Sequence, residues 1–207
     1  MKNLFRVSTI IGGCVLLASC GQLMNTLTPT AMDTPEASRK VVEALGKYID
    51  TTEYKPIEIW WSETDELSND LGLMIVYMVS KDGKPYNQTF GLGGQVTGPL
   101  DIKPDVFHKG PFDFATMAWI RPSELNPELI QKHYEAAKAE VPAEYTYKGI
   151  HEYTIEIDDE TGLPERTFKM NMIETGKSEV TSAGRTVTEY YELNFKGLDD
   201  GSIESID

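Results

Sequence analysis

The fold is decided by residues 71–84, which read LGLMIVYMVS followed by KDGK. The first ten residues are apolar on both alternating faces, a pattern typical of a strand that lies inside a sheet. Asp82-Gly83 then stands between two strand-like runs, and this dipeptide predicts a tight hairpin turn. The returning strand is expected over residues 86–92. An antiparallel hairpin is therefore predicted at the centre of the first half of the chain.

Another strand precedes this hairpin, and its two faces differ in character. Ile57, Ile59 and Trp61 alternate onto one face, while Glu58 and Trp60 fall on the other. One of these two faces is expected to lie beneath a helix. The second face combines a carboxylate with a large aromatic ring.

A helix is predicted at the start of each half of the chain. Thr34 is a suitable N-cap before Pro35-Glu36, and Ser123 or Asn126 can cap the helix that begins with Pro127-Glu128. Strand-like runs follow the second helix, as they follow the first. These runs cover residues 148–157, 163–173 and 186–195. A further apolar and aromatic run, residues 112–120, predicts a strand or a buried loop between the halves.

Short sequence matches suggest that the two halves are related. Tyr54-Lys55-Pro56-Ile57 matches Tyr147-Lys148-Gly149-Ile150 at an offset of 147 − 54 = 93 residues. Gly83-Lys84 matches Gly176-Lys177 at the same offset. Equal spacing of the first strand and the hairpin favours a duplicated unit of about 90 residues. The alternative is that any two small units of this kind share the same order of elements.

The predicted fold class is α+β, with two helix-plus-antiparallel-meander units in the order αβββ-αβββ. The first unit is expected over residues 34–96 and the second over residues 123–207, with a connector over residues 97–122. This element order is similar to that of the small periplasmic modules called PepSY-like or β-lactamase-inhibitor-protein-like. The similarity implies an α+β fold and says little about function.

The N-terminus has the features of an export signal. Lys2 and Arg6 precede an apolar run of about 11 residues, well short of the roughly 20 that span a bilayer. Leu17-Ala18-Ser19-Cys20 resembles the lipobox of bacterial lipoproteins position by position. The resemblance implies that Cys20 carries lipid and that residues 1–19 are removed. An ordinary secretory signal or a buried N-terminal helix is the alternative.

Residues after the cysteine bear on the final location. Gly21 stands where many inner-membrane lipoproteins have aspartate, and no charge follows in the next few residues. The resemblance therefore implies an outer-membrane lipoprotein that faces the periplasm. Residues 20–33 are rich in threonine, lack periodicity and are expected to form a tether.

Charge and cysteine content exclude several classes of function. The net charge of the 207-residue chain is −14, and an acidic surface repels nucleic acid and anionic lipid. We therefore expect no nucleic-acid partner, and attachment to the membrane only through lipid on Cys20. Cys14 lies in the predicted signal. Without another cysteine, disulfides, thiolate metal sites and cysteine nucleophiles are excluded from the processed chain.

No sequence motif indicates a cofactor or a metal, and none is expected. His108, His133 and His151 do not form a two-histidine metal motif. Residues 158–162 read DDETG, which is typical of a solvated turn, with calcium as the alternative. We also find no Gly-x-Ser-x-Gly elbow.

Two aromatic pairs form the candidate binding surface, namely Trp60 with Trp61 and Tyr190 with Tyr191. Neighbouring residues in a strand point to opposite faces, so one member of each pair is expected beneath a helix and the other on the far face. The far-face members need another layer, a partner or a ligand. Packing between the two units is the alternative explanation.

These observations favour a non-catalytic, lipid-anchored accessory protein that binds an envelope protein or a small ligand. A carrier of lipid or another apolar ligand is the alternative from a second class. An envelope hydrolase that uses carboxylates is the third.

We expect the Cys20→Ala variant to move from the membrane fraction to the soluble periplasmic fraction, because it lacks the sulfur to which lipid is attached. Fractionation of wild-type and variant cells followed by immunoblotting checks this. A Cys14→Ala variant is the control and should remain with the membrane. Retention of Cys20→Ala in the membrane fraction would contradict lipid anchoring.

Overall fold

A computed structural model describes residues 5–11, 29–93, 98–110, 112–177, 180–182 and 185–206. Within these ranges the chain forms two α-helices, α1 (Pro35–Tyr48) and α2 (Pro127–Ala139), and one sheet of eleven strands. The strands are β1 (Phe5–Ile11), β2 (Tyr54–Glu63), β3 (Leu71–Ser80), β4 (Pro85–Gly91), β5 (Gly98–Pro99), β6 (Lys103–Pro104), β7 (Tyr145–Ile157), β8 (Pro164–Glu174), β9 (Val180–Ser182), β10 (Arg185–Gly197) and β11 (Ile203–Ile206).

The sheet is antiparallel throughout and runs in the order β1-β10-β8-β7-β2-β3-β4-β5. β6 adds to β4, while β9 and β11 add to β10. The fold is therefore a mixed one, with two helices and a large antiparallel sheet, as the sequence predicts. The two predicted meanders share this sheet, because β2 pairs directly with β7.

Aromatic side chains form a ladder across the middle of the sheet, on the face that packs against the helices. Trp61 stacks on Tyr153 with ring centroids 4.7 Å apart, Tyr153 on Phe168 at 5.5 Å, and Phe168 on Phe195 at 5.3 Å. Each contact joins residues paired across neighbouring strands. Tyr134 of α2 meets two of these rings edge-on. The ladder ties β2, β7, β8 and β10 into one core.

The helix N-caps and one loop can be compared directly with their predictions from sequence. Asn126, rather than Ser123, caps α2, because its side chain accepts hydrogen bonds from the backbone N–H groups of Glu128 and Leu129. Thr34 occupies the N-cap position of α1, but its hydroxyl donates back to the carbonyl of Ala31. Residues 112–120 form turns and irregular loop instead of a strand.

Part of the predicted tether is packed against the body of the protein. Met32 is fully buried, and Ala31 forms an isolated β-bridge with Asp70. The Asp33 carboxylate also accepts hydrogen bonds from the body. Thr30 is also buried, and its carbonyl accepts a hydrogen bond from the Leu71 N–H at 2.7 Å. The folded body therefore begins by Thr30, a few residues before α1.

The predicted signal and lipobox fall largely outside the described residues, and so does Cys20. The exception is β1, which pairs with residues 186–192 of β10. This strand belongs to the segment that the lipobox predicts to be removed. Among the described helices, none is both long and apolar enough to cross a membrane.

The connector between the two meanders crosses the sheet on the face turned away from the helices, which we call the far face. After β5 and β6 pair with β4, residues 105–110 and 112–120, which we call the crossing segment, pass over the start of β2 and the β3–β4 hairpin. Three backbone hydrogen bonds fix it to the sheet: Asp105 N–H to the Pro85 carbonyl at 3.0 Å, Phe112 N–H to the Gly83 carbonyl at 3.4 Å, and Ile120 N–H to the Pro56 carbonyl at 2.8 Å. The segment then leads into α2.

His133 of α2 is buried against the end of β10. Its Nε2–H donates to the Leu198 carbonyl at 2.8 Å, so Nδ1 accepts from the Tyr153 hydroxyl at 2.9 Å. Burial lowers the pKa of His133, which is consistent with a neutral ring that packs in the core. A Cβ atom at Gly197 would lie 2.6 Å from this ring. Only glycine fits beneath His133.

We expect Gly197→Ala to reduce the free energy of unfolding by about 1–3 kcal/mol, because the new methyl group displaces a ring held by two hydrogen bonds. Gly46→Ala is the matched control: Gly46 is an exposed α1 residue with no atom within 4 Å of the new Cβ. That change should increase stability by roughly 0.5–1 kcal/mol. Urea titrations measure both. Equal midpoints for wild type and Gly197→Ala would contradict the packing.

Candidate functional site

A groove of about 550 Å³ lies between the crossing segment and the far face of β2 and β7. Its walls combine acidic, aromatic and aliphatic side chains. They include the carboxylates of Glu58, Glu156, Asp158 and Asp159, the apolar side chains of Ile57, Phe107, Phe112 and Met117, and the two basic residues His108 and Lys109. Alternation along β2 explains the acidic floor, since Ile59 points into the core and Glu58 points away from it.

His108 links the crossing segment to the sheet through two carboxylates. Its Nδ1 lies 2.5 Å from Asp105 Oδ2, and its Nε2 lies 3.2 Å from Glu58 Oε2. The ring also packs on Tyr77 of β3, with centroids 5.0 Å apart. A histidine held between two carboxylates is fixed in orientation, and the arrangement closes one end of the groove.

Asp105 is the buried member of this arrangement, with a side chain that is 0 % exposed. Its carboxylate accepts hydrogen bonds from the backbone N–H groups of Phe107, at 2.9 Å, and His108, at 3.2 Å. Burial by itself raises the pKa of Asp105, but these hydrogen bonds and the His108 ring outweigh it and hold the pKa below its usual value. Asp105 therefore stays ionised and shapes the loop that presents His108.

Glu58 and Glu156 face each other directly across the β2–β7 ladder. Burial raises the pKa of Glu58, and the negative charges of Glu156 and Asp105 raise it further, while His108 opposes the shift. Two like charges on neighbouring strands repel each other. The floor of the groove is therefore a place where a positive group, or a shared proton, is favoured.

The groove does not hold a ready metal site. Among the described residues, no group of three or more histidine, cysteine or acidic side chains is arranged to hold a metal ion. At the predicted acidic turn, Asp158 accepts hydrogen bonds from the Thr161 N–H, at 2.7 Å, and hydroxyl, at 2.6 Å. That turn is therefore closed by its own residues, and Gly162 follows it in the left-handed region at φ 69°.

The four aromatic residues chosen from the sequence are placed in different environments. Trp61 is fully buried in the aromatic ladder, and Tyr190 is 2 % exposed, with its hydroxyl donating to Glu66 at 3.2 Å. Tyr191 is half-buried against Tyr145. Tyr191 packs beside the helix-side core with Leu193 and Phe195, so alternation places Tyr190, like Trp60, on the far face. Of these two far-face residues, Trp60 is the one that is only half-buried.

Trp60 is half-buried, and its ring has a polar anchor. Its indole N–H donates to Glu152 of β7 at 3.0 Å, and Glu152 in turn pairs with Lys169 of β8 at 2.7 Å. The anchor fixes the edge of the ring and leaves part of the apolar ring available at the surface.

A second polar cluster lies at the other end of β2 and has a structural role. Glu63, whose side chain is 1 % exposed, accepts hydrogen bonds from His151 Nδ1 at 2.9 Å and Asn171 Nδ2 at 3.0 Å. It also accepts from the backbone N–H groups of Leu67, at 3.1 Å, and Asn69, at 2.7 Å. One carboxylate thus joins the β2–β3 loop to β7 and β8.

This loop carries backbone strain that the cluster must hold. Leu67 and Asn69 adopt left-handed φ angles of 65° and 55°. Asparagine tolerates this region, but it is unfavourable for leucine, so the strain lies at Leu67. Asn69 Oδ1 accepts from the backbone N–H of Ile150, and a Cβ at Gly149 would lie 2.5 Å from the Asn69 side chain. The close approach to Gly149 and the Glu63 hydrogen bonds together hold the loop in place.

Sequence reasoning missed the groove, although two signals pointed to it. Alternation places Glu58 on the same strand face as Trp60, and Asp105 stands three residues before His108. Neither signal predicts contact, because His108 lies 50 residues from Glu58 in a connector without periodicity. Only the path of the crossing segment brings them together.

This chain matches no protein-family model, no curated protein and no solved structure. The function proposed for it therefore rests on its own residues.

We expect the contribution of His151 to stability to depend on pH. The hydrogen bond to Glu63 raises the pKa of His151, so its stabilising effect is complete below about pH 6.5, its unfolded value, and falls as the pH rises through the folded pKa. His151→Gln should therefore lower the free energy of unfolding by about 1–2 kcal/mol at pH 5.5 and by less at pH 8.5. Urea titrations at both pH values measure the difference.

The same substitution in a Glu63→Gln background is the control, since the neutral partner cannot favour protonated His151. The pH dependence of the His151→Gln effect should disappear in that background. An effect of equal size at both pH values in the wild-type background would refute the role of this pair.

Proposed function

We propose that this protein is a lipid-anchored, periplasm-facing accessory protein that binds an envelope protein or a small ligand and catalyses no reaction. The anchor is lipid on Cys20, as the resemblance of residues 17–20 to a lipobox implies. The binding surface is the far face of the sheet. The observation that carries the proposal is a row of half-buried apolar side chains on that face, beside the groove.

Four residues make up this row, which we call the apolar stripe: Trp60, Leu73, Ile75 and Tyr77. Trp60 pairs with Ile75 across the β2–β3 ladder, and Glu58 pairs with Tyr77, so the stripe continues into the groove. The alternate residues of β3, Met74, Val76 and Met78, are fully buried on the helix side. β3 therefore carries apolar side chains on both faces.

A strand with two apolar faces needs cover on both. On one face the two helices and the aromatic ladder supply it. On the far face the crossing segment covers the start of β2 and the end of β3 next to the β3–β4 hairpin, and Trp60 and Ile75 lie beyond the residues that line the groove. A continuous apolar patch with a polar rim is typical of a surface that contacts another molecule.

We further propose that the two halves arose by duplication of one αβββ unit. β2 and β7 lie side by side at the centre of the sheet, and the order β10-β8-β7-β2-β3-β4 is symmetric about them. The hairpin glycines Gly83 and Gly176 both adopt left-handed φ angles, of 73° and 81°. β3 begins at Leu71 and β8 at Pro164, again 93 residues apart. Shared sheet symmetry and turn geometry support common ancestry more strongly than element order does.

The hydrolase is the second candidate, because Glu58 has a raised pKa and stands opposite Glu156. Glycoside hydrolysis uses a pair of carboxyl groups that flank the scissile bond, one of them with a raised pKa. By contrast, a lipid carrier would hold its acyl chain between the sheet and the two helices. There the aromatic ladder and Tyr134 already occupy the space.

Photo-crosslinking in cells tests the binding face. A photoreactive phenylalanine analogue at Ile75 should give a discrete crosslinked species, because Ile75 lies in the apolar stripe. The same analogue at Tyr48, an exposed α1 residue on the helix side, is the control and should not give that species. Trp60→Lys should abolish the crosslink from Ile75. It should leave the urea midpoint nearly unchanged, because Trp60 is only half-buried.

Equal crosslinking from Ile75 and Tyr48, or none from Ile75, would refute the far face as the binding surface. Turnover of a glycoside or ester substrate that is lost in Glu58→Gln would favour the hydrolase instead.

A further inference from the structure

We propose that the groove binds an arginine side chain presented by a segment of the protein partner. This inference rests on the proposed function, because it assigns a chemical identity to what the far face binds. The guanidinium would lie between Glu58 and Glu156, with its methylene stem along the apolar walls. Geometry, apolar lining and unbalanced charge lead to this assignment.

The first step is the charge of the groove. Four carboxylates line it, against Lys109 and the histidine that is already engaged by Asp105 and Glu58. The side chains of Glu156 and Asp159 make no hydrogen bond or ion pair with the described residues, and both residues are exposed. A cation that enters the groove therefore meets carboxylates that are free to pair with it. Acidic charge concentrated in a cleft also attracts basic partners from a distance.

The second step is the position of the two carboxylates on the floor. Glu58 and Glu156 lie on adjacent strands at the same level of the ladder, and they point to the same face. A planar guanidinium has five N–H donors and can bridge two neighbouring carboxylates, which a compact ammonium does less well. It would also remove the repulsion between them. The pair therefore suits arginine better than lysine.

The third step is the apolar wall. Phe107 is 75 % exposed, and the neighbouring Val106 is 78 % exposed. Phe112 and Met117 line the groove further along the crossing segment. Guanidinium groups stack on aromatic rings, and arginine stems cover apolar surface. An acidic floor with an aromatic wall matches both parts of an arginine side chain.

The fourth step connects the groove to the apolar stripe. Tyr77 contacts His108 at the groove and pairs with Glu58 across the ladder, while Ile75 lies two residues further along the same strand face. A partner segment with an arginine next to apolar residues would thus contact both features at once. The stripe supplies apolar contact, and the groove supplies selection for charge.

The test uses the full chain in detergent micelles and the peptide acetyl-Leu-Arg-Leu-amide as the probe, observed by NMR titration of backbone amides. The matched probe carries citrulline, which has nearly the shape of arginine without its charge. We expect saturable shifts at groove residues, with the citrulline peptide bound at least about tenfold more weakly. Affinity for the arginine peptide should fall as salt rises.

Two variants distinguish binding in the groove from attraction of the peptide to the acidic surface as a whole. Glu156→Gln should weaken binding of the arginine peptide about tenfold. Glu160→Gln removes the same charge from the neighbouring acidic turn but does not line the groove, and it should leave binding nearly unchanged. Both residues are exposed, so neither change is expected to alter the urea midpoint.

Equal binding of the arginine and citrulline peptides would overturn the proposal, and so would equal effects of the two variants. Spermidine that binds more tightly than the peptide would also overturn it, in favour of a free polyamine. The crosslinking experiment at Ile75 does not depend on the groove. Its success together with failure of the peptide would refute the arginine site and leave the binding face intact.

Discussion

The antiparallel pairing of β2 with β7 is the interaction on which the rest of the structure depends. It joins the two meanders into one sheet and sets their register, with Trp61 opposite Tyr153 and Glu58 opposite Glu156. The first pair begins the aromatic ladder of the core. The second pair forms the acidic floor of the groove. Because neighbouring residues of a strand point to opposite faces, one register decides both the packing and the candidate site.

The connector forms one wall of the groove, and the far face of the sheet forms the other. A segment without regular structure crosses the far face, and it is held through side chains and isolated backbone hydrogen bonds. Asp105 is buried and ionised, and His108 lies between it and Glu58. Burying a carboxylate is costly unless it is hydrogen-bonded. Asp105 accepts hydrogen bonds from two backbone N–H groups. These bonds meet that requirement and fix the loop that carries His108.

The carboxylates at the two ends of β2 differ in how fully they are hydrogen-bonded. At one end Glu63 is buried and saturated with hydrogen bonds, and it holds a strained loop against β7 and β8. At the other end Glu58 shares a solvent-accessible groove with Glu156, which has no partner among the described residues. A saturated carboxylate has little capacity for a ligand, whereas an unsaturated pair attracts one. This contrast separates a structural cluster from a candidate binding site.

The sequence by itself determined the local elements. Alternation predicted the strands of both meanders, Asp82-Gly83 predicted the hairpin, and Pro127-Glu128 predicted the start of α2, because each signal acts between residues a few positions apart. The division of Trp60 and Trp61 between two faces followed from the same rule. What only the tertiary structure decided was the β2–β7 pairing and the path of the crossing segment. These join residues 50 to 100 positions apart, such as Glu58 with His108 and with Glu156, and no local pattern encodes such distances.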